Sequence, residues 1–291
     1  NDKGINSLKL PAIGFNHCIV RTRIDGKDVF LELTDKYLPF KALPMSLYNA
    51  QALVVSFDKA ENERNSLINI KFDNAVDNVV TSKTVVNIDD TQKTYKTTYT
   101  IKGRGKSYFN ELFSATYTEE ERKKHIEDQI NDKLDKVVKL SSANVISNDK
   151  YAPGMVFETQ YSVSEKLQNV GSLKITTVPF LESAYSKDIV TSETRHYDIL
   201  YSDYENNNAY VSEVVMNLPA GRKFVEIPQN LELAYKGHRY ILTYEAIAPG
   251  SLKVVRKVTV PWDNISVADY PAYKKFVEEI IAAEEAVIGF K

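Results

Sequence analysis

Alternating polar and apolar residues dominate the chain from about residue 66 onward. In "KTYKTTYTIK", residues 93–102, Tyr95, Thr97, Tyr99 and Ile101 occupy every second position. Because successive side chains of a β-strand point to opposite faces, this spacing is typical of half-buried sheet. Turn sequences such as Pro249-Gly250 separate further runs of this kind. The sequence therefore predicts a mainly β fold, an antiparallel β-sandwich, with strands at about 154–163, 172–178, 195–201, 209–217, 223–227, 239–247 and 251–260.

Two helices are predicted to interrupt the strands and to pack against a sheet. Thr118 and Glu121 form a capping box, which predicts a helix near 118–138. Pro271 is a residue favoured in a first helical turn, and it predicts a helix near 270–287. Helical spacing gives each helix one apolar face: Ile126, Ile130, Leu134 and Val137 in the first, and Tyr273, Phe276, Val277, Ile280 and Ile281 in the second.

Charge and cysteine content exclude several classes of function. The net charge is -2 and both signs are interspersed, so no basic stripe predicts a nucleic-acid partner. No apolar run approaches the ~18 residues of a membrane span. A single cysteine excludes an internal disulfide and a zinc site of paired thiolates. His196 and His238 have no Asp, Glu or His at ligand spacing, so we expect no metal and no cofactor.

A hairpin is predicted near the start of the chain. Two β-rich runs, 15–24 and 28–34, are joined by Asp25-Gly26, which favours a type I′ turn. If these two residues form the loop, Ile19 faces Glu32, and Glu32 lies diagonal to His17 at a Cα distance of about 7–8 Å. Glu32 can then accept a proton from one imidazole nitrogen and leave the other free as a base.

Cys18 is predicted to point to the opposite face of the hairpin from His17, as a small buried hydrophobe and not as its nucleophile. The residues alone leave two alternatives open. His17 is either a catalytic position or a plain hairpin histidine, and Glu32 is either its orienting acid or a solvated strand glutamate. His125 lies among charged residues and is expected on a solvated helix face.

The segment "FNHCIV...DGKDVFLELTDKYLPFKALP" resembles the histidine and acid strands of bacterial secreted transglutaminase-like proteins, which have a papain-like core. The resemblance implies that His17 is the catalytic histidine and that Glu32 occupies the acid position, where the family usually has Asp. The family places its nucleophilic cysteine upstream of the histidine, and no such segment precedes residue 14. Together with a first residue that is Asn, this predicts a processed or truncated piece of a longer protein that is inactive alone.

The resemblance extends to a C-terminal β-rich domain of unknown function, whose landmarks are similar to "RHYDILY", "LPAGRKFVEIP" and "ADYPAYKKFVEEI". It implies a secreted or periplasmic location in the envelope of a Gram-negative bacterium. The predicted organisation is the end of the core at 1–57 and a β-sandwich accessory domain at 58–291, with the charged stretch 58–65 as linker. The missing N-terminal part of the core is then the expected partner.

Two other classes of function remain open. The sandwich is alternatively a binding module for glycan or protein at the cell envelope, since tyrosine rings suit sugar and interface sites. Tyrosine is equally a favoured strand residue, so a purely structural interaction domain is the third possibility. An aromatic patch with convergent polar groups would favour binding, and a surface without a sizeable pocket would favour the structural role. The candidate patch comprises Tyr197, Tyr201, Tyr204 and Tyr210.

Overall fold

The computed structural model describes residues 15–47, 50–55, 66–70, 78–149, 152–200, 207–261 and 263–291. Short 3-10 turns lie at Met45–Leu47 and Lys187–Val190. The helices are α1 (Gly105–Leu112), α2 (Glu119–Leu134) and α3 (Tyr270–Glu284). The strands are β1 (Val20–Ile24), β2 (Lys27–Leu31), β3 (Gln51–Val54), β4 (Ser66–Asn69), β5 (Val79–Ile88), β6 (Gln92–Lys102), β7 (Val138–Ser147), β8 (Gly154–Ser164), β9 (Gln168–Val170), β10 (Leu173–Thr177), β11 (Ala209–Asn217), β12 (Phe224–Glu226), β13 (Leu231–Tyr235), β14 (His238–Ala248), β15 (Ser251–Thr259) and β16 (Val287–Phe290).

The predicted mainly β, sandwich-like fold is confirmed. Within the described ranges, one sheet has eight strands in the order β13-β14-β15-β11-β5-β6-β8-β7, and a second has four in the order β12-β16-β10-β9. The described residues also form two-stranded sheets, β1-β2 and β3-β4. The sheet is not antiparallel throughout, because β5 and β11 pair in parallel. A long stretch of chain separates these two strands, as a parallel crossover requires.

One large apolar core joins both sheets to helices α2 and α3. Val86 and Met216 contribute to it from the eight-stranded sheet and Phe290 from the four-stranded sheet, while Ile130 and Ile280 enter from the helices. Each of these side chains is almost fully removed from solvent. The hydrophobic effect therefore fixes the helices onto the sheets. None of the helices in the described ranges is long and apolar enough to cross a membrane.

Both predicted helices are present, each somewhat shorter than expected. The capping box of Thr118 and Glu121 is confirmed, and Ile126 and Ile130 are buried. Val137 was expected in the same apolar stripe, but it is 86% exposed. The helix ends at Leu134 because Asp135 adopts a left-handed conformation with φ 48°. In α3, proline lies in the first turn, and Tyr273, Phe276, Val277 and Ile280 are buried as predicted.

Some elements differ from the sequence-based expectation. Helix α1 and the strands β5, β7, β9, β13 and β16 were not predicted. The predicted strand at 195–201 is reduced, within the described residues, to one bridge between Ile199 and Ile265. Strand β3 is only partly buried, and among the described residues it pairs with β4 alone. The predicted linker at 58–65 lies outside the described residues.

Candidate functional site

The turn between β1 and β2 sets the register of the first hairpin. Asp25 and Gly26 both have positive φ, 51° and 77°, as a type I′ turn requires. Ile24 pairs with Lys27 and Val20 with Leu31, which confirms the predicted register. The ladder ends there, and His17 lies just before β1 while Glu32 lies just after β2. The two ends of the hairpin therefore carry the two candidate residues to one place.

His17 and Glu32 are in direct contact, as predicted. Nε2 of His17 pairs with Oε2 of Glu32. The imidazole side chain is 29% exposed, whereas that of Glu32 is only 1% exposed. Among the described residues, Nδ1 of His17 has no hydrogen-bond partner. The pair thus presents one ring nitrogen to a buried carboxylate and leaves the other without a hydrogen bond to any described residue.

The neighbouring Thr34 holds the carboxylate in place. The Thr34 hydroxyl and amide donate to Oε1 of Glu32 at 2.5 and 2.6 Å. Burial by itself raises the pKa of Glu32, but the hydrogen bonds from Thr34 and His17 outweigh it, and the net pKa is lowered. Glu32 is therefore ionised at neutral pH and can only accept, so Nε2 of His17 carries the proton. Nδ1 is then the basic nitrogen.

Cys18 does not take part in this arrangement. Its thiol is free and exposed, and no hydrogen bond joins it to His17 within the described part of the chain. The prediction that Cys18 is a buried hydrophobe is wrong. Cys18 precedes β1 and belongs to none of the three apolar clusters that the described residues form.

The loop after Glu32 is tied to helix α1. The Ser107 hydroxyl donates to Asp35 at 2.5 Å, and the Asn110 side-chain amide donates to the Tyr37 carbonyl at 2.9 Å. Because Asp35 follows Thr34 directly, this helix fixes the segment that orients the Glu32 carboxylate. Sequence reasoning missed this support, since α1 itself was not predicted.

A cavity of about 600 Å³ lies on the inner face of the eight-stranded sheet. Its floor comes from β5, β6, β8, β11 and β15, and α1, α2 and residues 179–182 form its walls. Asp35 also lines it, so the cavity begins at the loop that follows the His17–Glu32 pair. Its volume is within the range of about 300–1,000 Å³ usual for small-molecule sites. Tyr210 of the predicted aromatic patch lines this cavity. Tyr197 is 83% exposed, and Tyr201 and Tyr204 lie outside the described residues.

Two of the remaining histidines, His125 and His238, have different surroundings. His125 is exposed on α2, where it makes an edge contact with Tyr117 at 5.3 Å. No group of three His, Cys, Asp or Glu among the described residues could hold a metal ion.

His238 is 1% exposed and lies among Tyr185, Tyr273 and Phe276. Burial lowers its pKa from 6.5 to about 4.

His238 should make the protein less stable in mild acid. The unfolded chain binds a proton at this residue below about pH 6.5, and the folded chain binds it only near pH 4. Stability is thus lost as the pH falls through this window, by about 2 kcal/mol between pH 8 and pH 5. Urea unfolding at both pH values measures the loss. His238→Gln should reduce it by that amount, whereas His125→Gln should leave it unchanged. An equal loss in both variants would refute the assignment.

The fold and site define a mainly β protein with a His–Glu pair beside a large sheet cavity. Residues 172–290 match a family model described as "Domain of Unknown Function with solved-structure structure (DUF3858)". All three landmarks predicted for the C-terminal domain of unknown function lie in this stretch, and the prediction of such a domain is confirmed. No curated protein and no solved structure matches the chain. The matched residues begin at β10, so four strands of the eight-stranded sheet, β5 to β8, precede them in the chain.

Proposed function

We propose that this chain is the C-terminal part of a secreted transglutaminase-like protein, with His17 as general base and Glu32 as the acid that orients it. The observation that supports this most is the contact of His17 Nε2 with a buried, ionised Glu32 whose other oxygen is held by Thr34. This is the geometry of a base with its orienting partner. A solvated strand glutamate would not be 1% exposed with three donors around it.

The reaction that such a pair serves is acyl transfer. Nδ1 of His17 would take the proton of a cysteine thiol, and the thiolate would attack an amide carbonyl and form a thioester. The imidazolium would return its proton to the departing amine. In the second half, His17 would deprotonate water or a second amine, which displaces the thiol by hydrolysis or transamidation. Cys18 is the sole cysteine of this sequence, so the nucleophile would come from other polypeptide.

The test needs no substrate, because a thiol paired with a base is reactive by itself. A longer form of the protein that includes the upstream polypeptide is treated with iodoacetamide, and alkylation of each cysteine is followed by mass spectrometry across pH. We expect one upstream thiol to react with a pKa below the ordinary value of about 8.5. His17→Gln should slow its alkylation at pH 6 at least about tenfold, because a unit rise in thiol pKa removes nine tenths of the thiolate.

His125→Gln is the matched control, since it makes the same change on an exposed helix face. It should leave the alkylation profile unchanged. Glu32→Gln should slow alkylation less than His17→Gln, because it disturbs the orientation of the base and leaves the base present. The proposal would be contradicted if an upstream cysteine were alkylated at the same rate in His17→Gln as in the original protein. It would also be contradicted if no thiol had a lowered pKa.

The β-sandwich would then act as an accessory domain of the enzyme at the cell envelope. Between the two alternatives, the cavity of about 600 Å³ supports a binding module over a purely structural domain. A structural role was expected to come with a surface lacking such a pocket. The two functions are compatible, because the cavity and the His17–Glu32 pair use different residues.

A further inference from the structure

A band of polar side chains crosses the floor of the cavity where a sandwich core is usually apolar. Thr84 faces Thr97, and Thr97 faces Thr159, so that three neighbouring strands present hydroxyls in register. In the next row, Ser82 lies between Tyr99 and Ser212. Further along the same face Val86, Tyr95 and Tyr161 restore an apolar core. The six residues of these two polar rows all line the cavity.

The hydroxyl groups of this band are costly to bury unless they form hydrogen bonds. Thr97 and Thr159 are 2% and 1% exposed. The hydroxyls of Thr84 and Thr97 bond each other at 3.0 Å. The Thr159 hydroxyl and Nε of Arg256, also buried, make no hydrogen bond of normal geometry with any described residue. Thr159 lies close to the Tyr99 hydroxyl, and this contact by itself lowers the pKa of Tyr99. Polar side chains are costly to bury in an apolar core, so a polar floor favours a cavity that takes up a polar ligand.

The charges around the cavity cancel. Arg256 is paired with Glu284, outside the cavity, and Lys133 is paired with Glu182 at the rim. Among the described lining residues, three are acidic and three are basic: Asp35, Glu111, Glu182, Arg104, Lys133 and Arg256. A charged ligand would thus gain little from this lining and lose its hydration.

The aromatic side chains complete the site. Tyr99, Tyr161, Phe180 and Tyr210 line the cavity together with the hydroxyl band. Burial raises the pKa of Tyr99, yet its side chain is only partly buried, because it borders the cavity. The five floor strands all lie inside the sheet, and their backbone groups are already paired with neighbours. An extended peptide would therefore find no free strand edge, which it needs for backbone pairing.

We propose that this cavity binds an uncharged saccharide. Hydroxyls of Thr, Ser and Tyr both donate and accept, and so they match the hydroxyls of a sugar ring. Aromatic side chains supply apolar surface for its C–H faces. The site joins strands of the matched domain, β11 and β15, to strands that precede it, β5, β6 and β8. Ligand sites are common at such junctions. The binding is independent of the acyl-transfer chemistry proposed for His17.

The test is titration of the 291-residue chain with neutral disaccharides of glucose, galactose and N-acetylglucosamine, followed by calorimetry and by NMR shifts. At least one should bind and shift the resonances of Thr97 and Tyr99. Ser82 lines the cavity and is partly exposed, so Ser82→Ala removes a hydroxyl within reach of the ligand and should weaken binding about tenfold. Ser164→Ala is the matched control, because Ser164 is exposed at the end of β8 and does not line the cavity, and it should change nothing.

Three results would overturn the proposal. The first is that none of the disaccharides binds. The second is that one binds with the same affinity to Ser82→Ala as to the original chain. The third is that a neutral capped peptide, and no sugar, shifts the cavity resonances. Because the variants leave His17 and Glu32 untouched, failure here would not bear on the acyl-transfer proposal.

Discussion

Replacement of Glu284 by alanine is expected to lower the free energy of unfolding by about 3–5 kcal/mol, because it leaves a buried guanidinium without its partner. Glu284 lies at the last residue of α3, and its side chain is 8% exposed against 6% for Arg256. One carboxylate oxygen accepts from Arg256 at 2.8 Å and from the Tyr240 hydroxyl at 3.1 Å. The other accepts from the Ala184 amide at 3.0 Å. The residue thus joins α3 to two strands of the sheet and to a loop.

Glu285 is the matched control for Glu284. It is the next residue in the chain and also forms an ion pair, with Lys187, but both partners are well exposed. Glu285→Ala should cost no more than about 1 kcal/mol in urea unfolding at pH 7. The double variant Arg256→Met/Glu284→Leu should recover much of the loss, since it removes both charges and leaves apolar side chains. Equal effects of the two glutamate substitutions would contradict the structure.

Phe290→Ala should cost a similar amount, about 3–5 kcal/mol, for a different reason. Phe290 is fully buried near the C-terminal end of the chain. It faces Lys174 of β10 on one side and Phe224 of β12 on the other, and its ring meets that of Phe224 edge to face at 6.1 Å. Its loss leaves a cavity at the centre of the four-stranded sheet. Urea unfolding measures the effect.

Val287 of the same strand provides the comparison. It is 53% exposed, so Val287→Ala removes little buried surface and should change stability by less than about 1 kcal/mol. If Phe290→Ala were as mild as Val287→Ala, then β16 would not be the buried inner strand that the structure shows.

Features fixed by a few neighbouring residues were predictable from the sequence. The Asp25-Gly26 turn determines the hairpin register through two backbone angles. The capping box of Thr118 and Glu121 determines where α2 begins. The turn and the capping box each depend only on residues close in sequence, so the distant parts of the fold do not change them. The contact of His17 with Glu32 follows from the turn, although the supporting Thr34 hydroxyl was not anticipated.

Features that depend on distant strands were not predictable in this way. Strand β5 was not predicted because Ser82 and Thr84 lie on its inner face, where an alternating pattern predicts apolar residues. Both residues line the cavity. The cavity itself appears only when five strands are placed in register, including the parallel pairing of β5 with β11. Conversely, the apolar residue Val137 favoured one more helical turn. The helix ends before it, because Asp135 adopts a left-handed conformation.

The function proposed for His17 and Glu32 requires a fixed pair in which Nε2 carries the shared proton. Proton NMR of the 291-residue chain at low temperature tests it directly, because an imidazole proton held by a buried carboxylate exchanges slowly and resonates far downfield. We predict such a resonance, absent in His17→Gln and in Glu32→Gln and retained in His125→Gln. A spectrum without that resonance, or one in which it survives Glu32→Gln, would contradict the pair and the function proposed from it.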